Sequence, residues 1–180
     1  LLEISRFDAE VAVLEPVEFD FCNLVSKSIE DLRMVASEAG IHIELARPAD
    51  SIYIKGDIRR IERIMRNLLT NAIDHADGKP INVSIKGDQS AVAVSVRDHG
   101  IGLDKESALR VFDRFWRADP SRSRIRGGTG LGLSMALEDA RLHNGELEVY
   151  GEPGRGANFV LTLPLQAGGE IPQRIIPFKF

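Results

Sequence analysis

The feature that most constrains the fold is a change in the period of the apolar residues near the middle of the chain. From Asp57 to about Gly78 the apolar side chains recur at helical spacing, and Asp57 is a good N-cap residue. After Pro80, the segments "INVSIKG" and "AVAVSVRD" alternate apolar and polar residues around "GDQS". This order predicts an amphipathic helix packed on a sheet. The predicted apolar stripe of the helix comprises Ile58, Ile61, Ile64, Met65, Leu68, Leu69 and Ala72.

Further elements extend the pattern on both sides. Residues 20–39 predict one helix that stops at Gly40, and "IHIEL" and "SIYIK" predict two strands. A short helix is predicted near 104–114, and a helix over 133–143 closes at "HNG", with Gly145 as the C′ residue. "ELEVYG" and "NFVLTLP" are the last two predicted strands. The fold class is therefore α/β, a two-layer sandwich whose mixed, mostly antiparallel sheet is covered on one face by helices.

Composition narrows the class of protein. The chain has 180 residues of which 43% are hydrophobic, enough for one globular domain with a core. A net charge of -4 argues against a nucleic-acid surface, and the single cysteine, Cys22, excludes a disulfide framework. No apolar run reaches the length of a membrane span, so no direct membrane contact is expected.

Three regions are predicted along the chain. Residues 1–15 look like the end of a helix that begins upstream, because the chain opens in a helical pattern that Pro16 ends. Residues 16–165 form the main domain. Residues 166–180 have no periodicity and are expected to be a flexible tail. The chain is thus expected to be a piece of a longer protein.

Four connections marked by glycines or asparagines could carry chemistry. They are the helix with Asn67 and Asn71, the loop "DHGIG" that begins at Asp98, the segment "GGTGLGL" at 127–133, and "GEPGRGANF". A carboxylate at a strand end can accept a hydrogen bond from the adenine amine, worth about 1.5–3 kcal/mol. A helix N-terminus offers N–H groups to phosphate, and an asparagine carbonyl is an oxygen ligand for magnesium. Together the connections predict a purine nucleotide site for ATP and Mg²⁺.

The ordered segments "NLLTN", "DHGIG", "FDRFWR", "GGTGLGL" and "GEPGRG" resemble the N, G1, F, G2 and G3 boxes of sensor histidine kinases. In that family the boxes form the catalytic ATP-binding domain, whose Bergerat fold is shared with gyrase, the MutL repair proteins and the Hsp90 chaperones. The resemblance runs from about residue 18 to residue 164. The stretches "FWRADPSRSR" and "LEDARLHNG" resemble most an actinobacterial group of these kinases.

The resemblance implies a role for each matching residue. Asn71 is expected to ligate Mg²⁺, Asn67 to lie beside the phosphates, and Asp98 to read adenine. His75 is expected to stack on the adenine. Phe112 and Phe115 are expected to anchor the near end of an ATP lid, with both side chains pointing into the core. The remaining nucleotide-binding residues are expected to be Gly100, Gly102, Phe115, Gly128, Thr129, Gly130, Leu131 and Gly132.

The lid segment is rich in arginine. Residues 110–126 hold six arginines against two aspartates, a local excess of about four positive charges in an acidic protein. Arginine forks pair well with phosphate oxygens, although a solvated loop would also carry such charges. Arg117, beside "FDRFW", is the predicted phosphate contact. The residues predicted to take part in catalysis are therefore Asn67, Asn71 and Arg117.

A departure from the family pattern at position 74 leaves two alternatives open. The pattern usually places a Lys or Arg there, where this chain has Asp74, so that a non-catalytic nucleotide sensor is one alternative. The other is a clamp driven by ATP hydrolysis, because "NAIDHA" echoes the N-x-x-D-A pattern of the hydrolysing relatives. Those relatives resemble each other in a general-base Glu four residues before the magnesium Asn, and Asn67 at that position favours a kinase over a hydrolase. Glu62 lies about 140° around the helix from Asn67 and is expected to point elsewhere.

The favoured interpretation is a histidine protein kinase domain that transfers the γ-phosphate of Mg-ATP to a histidine on an upstream dimerisation domain. The implied partners are that domain, in a homodimeric protein, and a cognate response regulator. The domain is expected to be cytoplasmic and the full-length protein to be in the cell membrane. His42, His99 and His143 are not in the sequence context of a phosphoacceptor and are expected to be surface or structural residues.

Overall fold

The computed structural model describes residues 12–118 and 129–176. The strands are β1 (Val17–Asp20), β2 (Ile43–Ala46), β3 (Tyr53–Gly56), β4 (Ile81–Gly87), β5 (Ala91–Asp98), β6 (Glu146–Glu152) and β7 (Gly156–Pro164). The helices are α1 (Phe21–Asp31), α2 (Arg33–Glu38), α3 (Ile58–His75), α4 (Lys105–Arg110) and α5 (Gly132–Leu142). These bounds support the predicted order of elements in the described part of the chain.

The main sheet has the strand order β2-β4-β5-β7-β6. The β2–β4 pair is parallel, and the three following pairs are antiparallel. Alternate residues of β5 and β7, such as Val94, Val96 and Phe159, join the buried side chains of α1, α3 and α5 in one core. The predicted two-layer sandwich with a mixed, mostly antiparallel sheet is confirmed.

Helix α3 is the central element of the helical layer. The carboxylate of Asp57 caps it by accepting a hydrogen bond from the Arg60 amide at 3.2 Å. Its buried residues are Ile61, Ile64, Met65, Leu68, Leu69, Ala72 and Ile73. Burying a side chain of the size of leucine or isoleucine stabilises the fold by about 1.5–3 kcal/mol, so this stripe holds the two layers together. The opposite, polar side of α3 is free to carry functional residues.

Several local predictions differ from the structure. The single helix expected over residues 20–39 is interrupted at Leu32, whose φ of -107° and ψ of 3° are not helical and whose side chain is buried. Residues 17–20, for which no strand was predicted, form β1 and pair with β3. Helix α4 ends at Arg110, before the expected residue 114. The left-handed residue after α5 is Asn144, with φ 58°, and not Gly145.

Residues 165–169 lie beside β3 and the end of α5: the Lys55 amide donates a hydrogen bond to the Leu165 carbonyl, and the Gly168 amide donates one to the His143 carbonyl. Ile175 and Ile176 lie on the face of the sheet opposite the helices. Ile176 packs against Ala93 and Val160, and Arg174 forms an ion pair with Glu148. The sequence had no periodicity from which these contacts could be predicted. Within residues 12–118 and 129–176, no helix combines the length and apolarity needed to cross a membrane.

Candidate functional site

A cavity of about 280 Å³ opens between α3, the start of α5 and the loop that follows β5. It brings together most of the residues that the sequence predicted, although they come from distant segments of the chain. The predicted residues that line it are Asn67, Asn71, His75, Asp98, Gly102, Arg117, Thr129, Gly130 and Gly132. Gly100, Phe115 and Leu131 lie outside the lining, and Gly128 lies outside the described residues.

Asp98 is the buried carboxylate of the site. It ends β5, only 1% of its surface is exposed, and its Oδ1 accepts a hydrogen bond from the Gly100 amide at 2.9 Å. Burial raises the pKa of Asp98 above its ordinary value, against the opposing effects of this hydrogen bond and of His75 nearby. A buried carboxylate at a cavity wall is a strong acceptor for a ligand N–H group.

The glycines after Asp98 allow backbone segments to approach closely. A Cβ on Gly100 would lie 1.7 Å from the carbonyl oxygen of His75. A Cβ on Gly102, whose φ is +75°, would lie 1.9 Å from the carbonyl oxygen of Glu152. Gly100 therefore holds the loop against the end of α3, and Gly102 holds it against the β6–β7 turn. This packing fixes the loop that carries Asp98.

Two asparagine side chains of α3 reach the other end of the cavity. The Asn67 side-chain amide donates a hydrogen bond to the Gly132 carbonyl at 2.8 Å, where α5 begins. Asn71, one turn later, lines the cavity, and its backbone carbonyl accepts a hydrogen bond from His75 Nδ1 at 2.8 Å. A Cβ on Gly132 would lie 3.1 Å from Asn67 Oδ1, so glycine lets α5 approach α3 at this point. Glu62 pairs with Lys27 and does not line the cavity.

The two ends of the lid segment are joined at its base. The Phe115 amide donates a hydrogen bond to the Gly130 carbonyl at 2.8 Å. Phe112 packs on the core, with its ring edge-to-face against Phe159 at 6.1 Å. Phe115 does not pack on the core: the residue is 71% exposed, and its backbone lies in the left-handed region with a φ of 63°. The prediction that both rings point into the core is therefore right for Phe112 and wrong for Phe115.

Arg117 lines the cavity and is partly buried. Its Nε is a buried donor with no hydrogen-bond partner among the described residues. Such a donor is costly to bury unless something accepts its hydrogen bond, so that its position suits an anionic ligand. Arg114, by contrast, forms an exposed ion pair with Glu138. Arg122, Arg124 and Arg126 lie outside the described residues.

The cavity also contains residues that the sequence did not single out. Thr70 lies three residues after Asn67, a helical spacing that could have indicated it, and Asp74, which the sequence singled out only for the missing cation, also lines the cavity. Leu103, Trp116, Leu133 and Phe159 supply apolar wall and are also packed against the core. Their ligand-facing position depends on tertiary packing and has no local sequence signal. His143 is 2% exposed and fully hydrogen-bonded, as expected of a structural histidine.

Residues 56–167 match the family described as histidine kinase-, DNA gyrase B-, and HSP90-like ATPase, and the chain belongs to this family of ATP-binding domains. Within it, the chain is similar to sensor histidine kinases. The sensor histidine kinase MtrB of Mycolicibacterium paratuberculosis is 49% identical over 179 residues, which cover 99% of this chain and 32% of that protein. The chain therefore spans about a third of the length of the curated relatives it matches.

Solved structures agree with the sequence comparison. Full-length ShkA in complex with AMPPNP superposes with a TM-score of 0.80 at 26% identity, over 94% of this chain and 35% of that one. The mycobacterial sensor histidine kinase MprB superposes with a TM-score of 0.70 at 26% identity, over 86% of this chain and 99% of that one. The predicted Bergerat fold and the ATP-binding catalytic domain of a sensor histidine kinase are confirmed.

Proposed function

We propose that this domain binds Mg-ATP with its adenine on Asp98 and its phosphates at Asn67, Asn71 and the N-terminus of α5, and presents the γ-phosphate to a histidine on an upstream dimerisation domain. The observation that carries the proposal is the polarity of one cavity: a buried carboxylate lies at one end, the Asn67 carboxamide contacts the start of a helix at the other, and Asn71 lines the cavity one turn from Asn67. This is the order of groups that a purine nucleotide with a phosphate chain requires.

Base selection follows from Asp98. Its carboxylate accepts a hydrogen bond from the exocyclic amine of adenine, whereas guanine would point a carbonyl oxygen at it. The loop cannot move away from a poorly matched base, because Gly100 and Gly102 are packed against backbone on both sides. His75 and the apolar residues Leu103 and Phe159 supply surfaces on which the base packs.

The residues at the other end fit a magnesium-phosphate group. Among the described residues, no cluster of three or more His, Cys, Asp or Glu could hold a metal alone. Magnesium commonly takes only one or two protein oxygens and fills its remaining positions with water and phosphate oxygens. Asn71 Oδ1 is the proposed protein ligand, and it adds no negative charge. When bound, magnesium neutralises phosphate charge. The Arg117 guanidinium contributes to the same neutralisation.

The transfer step asks mainly for positioning, because phosphoryl transfer depends on alignment and charge neutralisation more than on covalent help from the protein. Asn67 cannot take a proton from water at neutral pH, so the usual general base of an ATP hydrolase is missing at this position. The domain therefore holds the γ-phosphate for an incoming histidine and hydrolyses ATP slowly. Homodimerisation, the response regulator and the membrane location of the full-length protein belong to the same proposal and rest on the relatives.

One observation favours the second candidate, a nucleotide sensor without transfer. Asp74 lines the cavity in the place where the family pattern has a cation. A carboxylate near phosphates repels them and weakens the positioning of the γ-phosphate. Under this alternative, ATP binds and only changes the conformation of the protein.

The deciding experiment mixes this chain with a separately produced upstream helical hairpin that carries the histidine, and adds ATP labelled at the γ-phosphate. Label on the hairpin that is stable in alkali and lost in acid is the expected result. ATP binding without transfer would support the sensor, and rapid release of labelled phosphate would support the hydrolysing clamp. The variant Asn71→Ala should lose both magnesium-dependent binding and transfer; retention of both would contradict the assigned site.

A further inference from the structure

A polar cluster lies between α3 and α5, away from the cavity. Its centre is Asp139, a carboxylate that is only 1% exposed. Arg63 contacts it with two hydrogen bonds, from Nε to Oδ2 and from Nη2 to Oδ1, both at 2.7 Å. Arg60 adds a third bond, from Nη1 to Oδ1 at 3.0 Å. None of these three residues lines the cavity. A buried carboxylate held by two arginines therefore joins the two helices at this place.

His143 extends the cluster to the end of α5. Its Nδ1 lies 2.7 Å from the Asp139 carbonyl, which can only accept, so that Nδ1 carries the proton. Its Nε2 then accepts a hydrogen bond from the Asp57 amide at 3.0 Å. The ring lies against Gly56, where a Cβ would be 3.3 Å from it, so glycine leaves space for the imidazole at this point. The C-terminal end of α5 is thus attached to the N-cap of α3.

The same N-cap residue holds the segment that precedes β1. Asp57 Oδ2 accepts a hydrogen bond from the Glu15 amide at 3.1 Å, and Oδ1 accepts one from the Arg60 amide. Burial would raise the pKa of Asp57, but these two hydrogen bonds and the charge of Arg60 outweigh it and keep the pKa below the ordinary value. A chain of contacts therefore runs from Glu15 through Asp57 and His143 to Asp139.

The two helices joined by the cluster also form the phosphate end of the cavity. Asn67 lies about one turn beyond Arg63 on α3, and Gly132 lies about two turns before Asp139 on α5. The two are hydrogen-bonded at 2.8 Å. Apolar packing between helices is not directional, whereas a bidentate arginine–carboxylate pair fixes both distance and angle. The geometry of the cluster is therefore suited to fix where the start of α5 lies relative to Asn67 and Asn71.

We propose that the cluster is a positioning device that sets the start of α5 against α3, and that it couples the segment before β1 to the phosphate end of the nucleotide site. The proposal rests on the proposed function, since it assumes that phosphates bind at that end. The loop at the adenine end is held by the end of α3 and the β6–β7 turn and not by α5, so we expect it to be insensitive to where α5 lies on α3. A disturbance of the cluster should therefore change the binding of ATP and leave the binding of adenosine unaffected.

The first test compares Asp139→Asn with Glu138→Gln, which removes a charge from the neighbouring, exposed residue of the same helix. Affinities for ATP with magnesium and for adenosine are measured by calorimetry well below the melting temperature of each variant. Asp139→Asn should lower the ratio of ATP affinity to adenosine affinity about ten-fold, and Glu138→Gln should leave it unchanged. A ratio unchanged in Asp139→Asn, with or without a lower melting temperature, would overturn the proposal.

Arg63→Lys gives a second measurement should Asp139→Asn fail to fold, because it keeps the charge and removes the fork that makes two bonds. It should lower the same ratio, and an unchanged ratio would overturn the proposal. The proposed function is tested separately by the unaltered chain. If that chain binds ATP no better than adenosine, the phosphate end has been wrongly assigned and both proposals fail. If it prefers ATP and the variants keep the full preference, only the positioning role fails.

The coupling to the preceding segment is tested by Glu15→Pro against Glu15→Ala. Proline removes the backbone N–H that donates a hydrogen bond to Asp57, whereas alanine keeps this N–H and removes only the side chain. Glu15→Pro should lower the ATP-to-adenosine ratio a few-fold, and Glu15→Ala should behave as the unaltered chain. Equal ratios in the two variants would overturn the coupling.

Discussion

The two ends of the cavity are built in different ways. At the Asp98 end, the loop after β5 is held by backbone packing, with Gly100 against the end of α3 and Gly102 against the β6–β7 turn. At the Asn71 end, the groups come from two helices that meet through side-chain hydrogen bonds, and the lid residue Phe115 beside them is exposed. The Asp98 end is therefore held by backbone packing, whereas the Asn71 end depends on how α5 packs on α3.

This difference suggests that the two ends have different functions. An end held by backbone packing suits recognition of the base, since the adenine is the same before and after the reaction. An end that depends on helix position suits the phosphates, because the γ-phosphate must be presented and the product released. Changes at the Asp98 end should therefore affect folding and base choice, and changes at the Asn71 end should affect affinity for the phosphate chain.

The largest effect is expected from Gly102→Ala. The new Cβ would lie 1.9 Å from a carbonyl oxygen, so the loop or the β6–β7 turn must move. Gly154→Ala is a matched control, because Gly154 has the same φ of +75° with no neighbour within 4 Å of its Cβ. The control should cost about 1–2 kcal/mol of unfolding free energy from backbone strain alone. Gly102→Ala should cost clearly more in urea denaturation, and equal costs would show that the close packing is unimportant.

Asp98→Asn should have the next largest effect. Loss of a hydrogen bond to a charged acceptor should weaken ATP binding by about 1.5–3 kcal/mol, that is, about ten-fold to a hundred-fold. The folded state should not lose stability, because burial disfavours the charge that the substitution removes. Competition with GTP should show reduced preference for ATP. Normal ATP affinity in this variant would show that Asp98 does not read the base.

The pH dependence should separate Asp98 from Asp57. The raised pKa of Asp98 contributes stability below its unfolded value of about 3.9, and this stability is lost as the pH rises through the folded pKa. The lowered pKa of Asp57 acts in the opposite direction: its stabilisation is present above the unfolded value and is lost as the pH falls through the folded pKa. ATP affinity should fall as Asp98 becomes protonated. The ATP affinity of the unaltered chain should decrease at acid pH, and that of Asp98→Asn should not show this decrease. Coinciding plots of affinity against pH would contradict the assignment.

Arg117→Ala should have the smallest effect. Its buried Nε lacks a partner in the described part of the chain, so its removal should change the stability of the fold little. The nucleotide should lose one contact. ATP affinity should fall by about 1 kcal/mol, or roughly five-fold. Adenosine affinity should stay the same. If ATP affinity and phosphotransfer were both unchanged, Arg117 would have no part in the site.

Much of this molecule could be predicted from its sequence because local patterns agree with the fold. The apolar stripe of α3 and the alternation in β4 and β5 predicted the two layers, and "DHGIG" predicted the position of Asp98 at the end of a strand. The interruption at Leu32 and the outward ring of Phe115 depend on backbone conformations that no local pattern indicates. The Asp139 cluster joins residues 76 and 79 positions apart, so only the folded structure brings them together.

The most direct test of the account is a crystal structure of this chain with magnesium and a non-hydrolysable ATP analogue. We predict that the adenine amine lies within hydrogen-bond distance of Asp98, that Asn71 Oδ1 ligates the magnesium, and that the phosphates lie at the start of α5. A nucleotide bound in the opposite orientation, or outside this cavity, would contradict the account.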